Sequence, residues 1–294
     1  MDVVLIPCYH RPEFLSLCLE YLSKAEGARN EKEYWLLQDY RPDDDHRYGV
    51  QLKWLKEVIE NSPLPVRYIQ RQPHGYSGNS YNTLEGYKEA YGTNARFVYL
   101  VEEDVLVTPD FFLWHEAIQL VEPDTMCSIA YRCSRNNDAR TDIVDSSAYF
   151  TSARDYASIG VCWKKDRLAW LASHSHEAYY SNQSDYIRRT FVGNRFSGDF
   201  CEQDGLIMRC MWNERAFTTW PYVPRAYHLG GYGYHRPNGA RPDGQLQLKI
   251  QTLRGWISDR VKLKEVAPDF GDIEPYDATL NVPFITLHKE QHFA

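Results

Sequence analysis

Three groups of residues in this chain are of types that do chemistry. The first is Val101-Glu102-Glu103-Asp104-Val105, three carboxylates in a row after the apolar run Phe97-Val98-Tyr99-Leu100. Adjacent carboxylates repel one another unless a cation neutralises them. A hard divalent ion such as Mn²⁺ or Mg²⁺ suits such oxygen ligands, and usually takes one or two carboxylates completed by substrate phosphates. Side chains alternate along an extended segment, so Glu102 and Asp104 are expected to face one crevice, with Glu103 turned away or reaching it through water. The plainer alternative is an acidic loop, or a helix cap ahead of Pro109.

The second group is Cys201-Glu202-Gln203-Asp204-Gly205, two carboxylates just before an apolar helical run. A carboxylate there can take the proton of a hydroxyl as a general base; helix N-capping by Asp204 is the alternative. The third is Arg225-Ala226-Tyr227-His228-Leu229-Gly230-Gly231-Tyr232-Gly233. A neutral imidazole there can ligate a metal, and the glycine-rich turn can offer backbone amides to an anion. A structural histidine in a loop is the competing reading.

These groups need elements to hold them, and the first hundred residues supply a regular alternation. Residues 3–7 (Val-Leu-rich) read as a short buried strand, and 34–39, 65–70 and 97–101 repeat the strand signal. Between them, residues 12–22 show helical spacing at Leu15, Leu19 and Leu22 after Pro12, and residues 50–59 do so at Leu52, Leu55 and Ile59. A loop Gln72-Pro73-His74-Gly75-Tyr76-Ser77-Gly78 leads into a third helix over 79–91. Strands alternating with helices at this pitch imply a mostly parallel sheet flanked by helices, an α/β fold. In open sheets of that kind ligands bind beyond the carboxyl ends of the strands, where the acidic trio falls.

After Asp104 the pattern loosens. Residues 110–120, 165–172 and 202–212 read as helices, 127–131 as extended, 221–242 as largely loop, and 245–264 as a basic helix. No repeat or linker divides the chain. The expectation is one domain over 1–294, with 1–104 as its nucleotide-binding half and 105–294 as its acceptor half.

Composition excludes several classes. Of the 294 residues 43% are apolar and 25% charged, and 17 Gly and 15 Pro are too few for fibrous or low-complexity sequence. No apolar run approaches the roughly 18 residues that a membrane span needs. Met1-Asp2 enters the first strand with no leader pattern, and seven cysteines, an odd number without any C-x-x-C pair, argue against a disulfide framework or a structural zinc site. A cytoplasmic protein is expected. The net charge of −7 is uneven: residues 181–264 carry +6 and the rest −13. That basic stretch is either a surface for an anionic partner or a solvated face.

Taken in order, these segments resemble the GT-A glycosyltransferases. The resemblance rests on Ile6-Pro7-Cys8-Tyr9-His10-Arg11-Pro12, on Leu37-Gln38-Asp39, on Glu102-Glu103-Asp104 followed by Pro109-Asp110-Phe111-Phe112, and on the later acidic pair. The stretch from Glu102 to Phe112 is most similar to the inverting N-acetylglucosaminyltransferases of the N-glycan and protein O-mannose pathways. Ala157-Ser158-Ile159-Gly160-Val161-Cys162-Trp163 is similar to their glycine-aromatic turn beneath the donor sugar, and Arg225-Ala226-Tyr227-His228-Leu229-Gly230 to an Arg-x-Tyr-His-x-Gly motif.

The resemblance implies a GT-A (Rossmann-like) fold, a nucleotide-sugar donor, commonly a UDP-sugar, and Mn²⁺ or Mg²⁺. Pro7, Tyr9, Arg11, Asp39, Ser77, Asn79, Glu102 and Glu103 would line the donor site, with Arg11 against the diphosphate and Asp39 bonded to the base. Asp104 would hold the metal together with His228, while Glu102 would meet the donor sugar or a metal-bound water. The base would be Asp204, with Glu202 as the alternative, because the chain has Glu-Gln-Asp where those enzymes have adjacent carboxylates.

Those relatives carry a membrane anchor in an oxidising compartment, and this chain begins at its first strand. A bacterial or phage-encoded cytosolic enzyme is therefore expected, acting on a glycan, a protein or a hydroxylated DNA base. For DNA, Arg188, Arg189, Arg195, Lys249, Arg254, Trp256, Arg260, Lys262 and Lys264 would give phosphate contacts and stacking. A nucleotidyltransferase would need a glycine-rich loop where Pro7 to Pro12 has none. A non-catalytic sugar- or nucleic-acid-binding protein is the other rival.

Overall fold

The computed structural model describes residues 1–9, 11–40, 49–76, 78–131, 148–153, 155–192, 201–229, 251 and 288–289. Strand β1 (Asp2–Cys8) is buried along its whole length, as a strand covered on both faces must be. It pairs in parallel with β2 (Lys32–Gln38) and with β4 (Phe97–Leu100), and β2 pairs in parallel with β3 (Val66–Gln70). The helices between them are α1 (Pro12–Lys24), α2 (Gly49–Glu60) and α3 (Gly78–Tyr91). Pro12 opens α1, where a missing N–H costs nothing.

Period-two alternation along β1 divides the interior into two cores. Val4, Ile6 and Cys8 pack with Phe14, Leu15, Leu19 and Leu22 of α1 and Leu55 of α2. Val3 and Leu5 face the other way, against Leu84, Tyr87 and Ala90 of α3. The sheet is thus covered on both faces, and the α/β class expected from the sequence is the one observed.

The second half is more extended than the sequence suggests. It contains β5 (Val105–Val107), α4 (Phe111–Val121), β6 (Cys127–Ile129), β7 (Ala148–Ser152), β8 (Val161–Lys164), α5 (Ala169–His174), α6 (Glu177–Ser181), α7 (Gln183–Thr190), α8 (Gln203–Glu214), β9 (Thr218–Pro221), β10 (Ala226–His228) and β11 (His288–Lys289). Among the described residues nine strands form one sheet in the order β11-β7-β9-β6-β8-β4-β1-β2-β3. Antiparallel pairings enter at β4–β8, β8–β6 and β7–β9, while β6–β9 and β11–β7 are parallel.

One expectation needs correction. Residues 165–172 are not one helix: Lys165–Leu168 form a 3-10 turn before α5 begins. Within the largely loop segment 221–242, Ala226, Tyr227 and His228 pair with Val107, Leu106 and Val105 in a separate two-stranded ribbon. A three-residue strand is too short to show alternation, and its partner follows directly on the acidic trio. The expected basic helix over 245–264 lies outside the described residues except for Gln251. Among the described residues no helix is long and apolar enough to cross a membrane, and six cysteines are free thiols.

Gly160, before β8, has φ +63°, and a Cβ there would stand 2.8 Å from that of Ala226 and 3.1 Å from that of Ala130. Gly160→Ala is expected to cost about 2–4 kcal/mol, the sum of a left-handed backbone penalty and overpacking. Urea denaturation checks this, and an unchanged midpoint would contradict it.

Candidate active site

The acidic trio leaves the sheet beside the end of β1. Val101 N–H donates to the Leu5 carbonyl at 2.9 Å and Glu103 N–H to that of Pro7 at 3.2 Å, so the chain still runs alongside β1 after β4 has ended. Val105 N–H then returns to the Glu102 carbonyl at 2.9 Å, closing a turn. In a turn the strand alternation does not apply, and here the structure corrects the sequence reading. Glu103 does not point away: it is 3% exposed, accepts the Tyr9 N–H at 3.0 Å, and pairs through Oε1 with Arg11 Nε at 2.6 Å.

Arg11 joins both carboxylates. Its Nη1 lies 2.7 Å from Asp104 Oδ2, and its guanidinium sits over the Phe14 ring at 5.3 Å. The β5–β10 ribbon brings His228 to the same carboxylate, with Nε2 3.1 Å from Asp104 Oδ2. The Leu229 N–H to Asp104 carbonyl bond, 2.8 Å, fixes that approach. Asp104 is 3% exposed, and its Oδ1 is buried with no hydrogen-bond partner.

Charge follows from this packing. Burial works to raise the Asp104 carboxyl, but Arg11 and His228 outweigh it and hold it well below the usual carboxylate range. Burial works to lower the His228 imidazole, and the neighbouring Asp104 and Glu102 outweigh that, raising it above its ordinary value. Glu102 is half-buried; desolvation, with the charges of Asp104 and Asp204, pushes it up to about 8.

Asp204 lies in the first turn of α8, and its charge reaches Glu102. Its carboxylate accepts the Ser158 hydroxyl, and burial pushes it up to about 6, with Ser158 pulling down and Glu202 pushing up. Glu202 is exposed at the N-cap position of α8 without a side-chain cap bond. Helix capping by Asp204, the plainer reading of that motif, is not what the structure contains.

The remaining sequence-derived residues are spread more widely. Pro7 is buried within β1 and offers its carbonyl to Glu103, and Tyr9 offers its N–H. Asp39, at the end of β2, accepts the Tyr40 N–H at 2.9 Å and lies 3.1 Å from His74 Nε2. The His74 ring lies 4.2 Å from that of Tyr81 and stacks on Tyr76. Asn79 is exposed on α3, where its Oδ1 accepts from Thr83 Oγ1 at 3.4 Å, and Ser77 lies outside the described residues. Arg225 is structural: it bonds Asp110 Oδ2 at 3.1 Å and so ties β10 to the start of α4.

Two site residues enter the sequence reading only inside longer segments, Ser158 in the 157–163 turn and His74 in the 72–78 loop. A hydroxyl two residues before a glycine turn was the signal available for the first.

Whether the cluster suits a divalent ion turns on its donor atoms. Among the described residues no group of three or more His, Cys, Asp or Glu side chains forms a cage. Asp104 does present an unpartnered buried oxygen beside an imidazole nitrogen. One or two protein ligands of that kind suit Mn²⁺ or Mg²⁺ completed by the phosphates of a substrate.

No protein-family model matches this chain, and no curated protein matches it. Among solved structures it is similar to Staphylococcus aureus TarS 1–349. One structure of that protein matches with TM-score 0.40 and 14% identity over 57% of this chain and 48% of that one, about half its length. Another, in complex with UDP-GlcNAc, matches with TM-score 0.48 and 11% identity over 90% and 73%. The mannosyltransferase PcManGT from Pyrobaculum calidifontis, in complex with GDP-Man and Mn²⁺, matches with TM-score 0.44 and 12% identity over 92% and 67%. A 4-diphosphocytidyl-2C-methyl-D-erythritol synthase from Anaerococcus prevotii matches with TM-score 0.42 and 11% identity over 86% and 96%.

Proposed function

We propose that this chain is a metal-dependent glycosyltransferase of the GT-A kind, moving a sugar from a nucleotide-sugar donor, a UDP-sugar, to an acceptor hydroxyl with inversion. The observation that carries the proposal is the cluster of Arg11, Glu103, Asp104 and His228 at the carboxyl ends of β1 and β4, with Asp104 Oδ1 unpartnered and Asp204 within electrostatic reach of the same turn. Asp104 and His228 would hold Mn²⁺ or Mg²⁺. When bound, such an ion neutralises charge on the departing diphosphate.

The chain's own residues do the rest. Arg11, held by two carboxylates, keeps its positive charge where the diphosphate would lie, and Asp39 accepts from the base. Asp204 takes the proton of the acceptor hydroxyl as its oxygen attacks the anomeric carbon and the bond from that carbon to the diphosphate oxygen breaks. The sugar is a hexose or an N-acetylhexosamine. Six free thiols support a reducing compartment, the cytoplasm of a bacterial cell or an infected host.

The acceptor we favour is a glycan or protein hydroxyl. Arg188 and Arg189 each ion-pair with Asp185, which cancels part of the charge that a DNA backbone would need. The rest of the proposed DNA surface, Arg195, Lys249, Arg254, Trp256, Arg260, Lys262 and Lys264, lies outside the described residues. Salt-dependent binding to duplex DNA by the unmodified protein would turn the choice towards a hydroxylated base.

Thermal stabilisation by nucleotides and nucleotide sugars, with and without Mn²⁺, tests the reading. A ligand that binds only the folded state at a hundredfold excess over its Kd should raise Tm by roughly 5 °C. A Mn²⁺-dependent rise with UDP or a UDP-sugar is expected. No rise with any donor would leave the non-catalytic binding protein as the better account.

A further inference from the structure

We infer that Ser158 is a positioning residue for the transfer reaction, holding the Asp204 carboxylate in the orientation in which it receives the acceptor proton. The inference rests on the reading of Asp204 as the base. Ser158 lies on the turn before β8, 5% exposed, and Asp204 in the first turn of α8. Its hydroxyl donates to Asp204 Oδ1, and its backbone N–H bonds the same carboxylate.

The hydroxyl's direction is itself set. Gln203 Nε2 donates to Ser158 Oγ at 3.3 Å, and Gln203, 4% exposed, is tied by its own N–H to Ser80 Oγ at 3.1 Å. A serine hydroxyl has a single proton to give. With an amide donating to its oxygen, that proton goes to Asp204, and the chain from Gln203 through Ser158 to Asp204 has one sense. The turn is anchored as well, since Ala130 N–H donates to the Gly160 carbonyl at 2.7 Å.

A purely structural role would leave this arrangement unexplained. Forty-six positions separate Ser158 from Asp204, and the α8 N-cap is Glu202 with no side-chain bond, so Ser158 does not cap the helix. What it does is fix one carboxylate among several ionisable neighbours. Asp204 faces Glu202 from its own helix, Glu102 from the acidic turn, Tyr87 from α3, Tyr156 from the same turn as Ser158, and Tyr179 from α6. A donor to the charged form keeps Asp204 ionised against Glu202 and against burial.

The test uses the full chain with selectively ¹³C-labelled aspartate, the Asp204 carboxyl resonance being assigned by its loss in Asp204→Asn. In Ser158→Ala the Asp204 midpoint should rise by about one pH unit, and Ser158→Thr should return it. With UDP-glucose and UDP-N-acetylglucosamine as donor probes, kcat in Ser158→Ala should fall roughly 10- to 100-fold while the donor KM stays within about twofold. Gln203→Leu, which removes the amide that directs the hydroxyl, should shift the midpoint the same way by less, and it decides the matter if Ser158→Ala does not fold. An unmoved midpoint in a folded variant, with Asp204→Asn inactive, overturns this inference alone. A moved midpoint with Asp204→Asn fully active overturns the assignment of the base, and the positioning role with it.

Discussion

Asp104→Asn should lower Mn²⁺-dependent sugar transfer by about a thousandfold or more and erase the metal-dependent part of the stabilisation by UDP, while the protein stays folded. The substitution keeps the size of the side chain and removes its charge. In the native site that charge is secured against burial by Arg11 at 2.7 Å and His228 at 3.1 Å, so the carboxylate is already in the form a metal takes. An amide offers a weaker oxygen ligand and presents an N–H to one of two cationic groups.

The cost to folding is bounded because Arg11 retains Glu103 at 2.6 Å, so the buried guanidinium keeps a carboxylate partner. Glu103→Gln is the informative control. It weakens the bond to Tyr9 and the pairing with Arg11 but leaves Asp104 and His228 in place, so it should reduce stability more than metal dependence. Circular dichroism, a melting curve and transfer assays with and without Mn²⁺ separate these effects. Wild-type turnover in a folded Asp104→Asn variant would remove the metal assignment.

Local pattern carried the parallel half of the fold. Apolar runs mark β1, β2 and β4 because those strands are largely buried on both faces, helical spacing marks α1 to α3, and the edge strand β3 is only partly buried. The same logic put Glu102, Glu103 and Asp104 at the carboxyl edge. It failed one residue later, where the chain turns: alternation assigns Glu103 outward, while the bond from its N–H to Pro7 and the pull of Arg11 bring it in. The β5–β10 ribbon escaped for a related reason. Its two strands are three residues each and lie 121 positions apart, so only the tertiary pairing of Leu106 with Tyr227 reveals them, and that pairing delivers His228 to Asp104. Ser158 was illegible as a partner of Asp204 because nothing local links a turn before β8 to the first turn of α8.

Between the two candidate bases, Asp204→Asn should reduce transfer by about 10²–10⁴-fold with donor stabilisation retained, and Glu202→Gln should leave it within a few-fold. The two carboxylates differ in environment rather than in type. Glu202 is exposed, whereas Asp204 is half-buried, bonded to Ser158 and raised to about 6. A base works best when its conjugate acid lies near the working pH, and Asp204 satisfies that while remaining mostly ionised at pH 7. The sign of the pH dependence follows. Above about 6 the carboxylate is free to accept a proton, so kcat/KM for the acceptor should be flat on that side, and below it the rate should fall about tenfold per pH unit. Asp204→Asn should abolish that limb in whatever activity remains, while Glu202→Gln should move it slightly downward, since the Glu202 charge is one of the influences that raise Asp204. An inactive Glu202→Gln beside an active Asp204→Asn would transfer the role to Glu202, and the proton would then leave through an exposed carboxylate rather than a desolvated one.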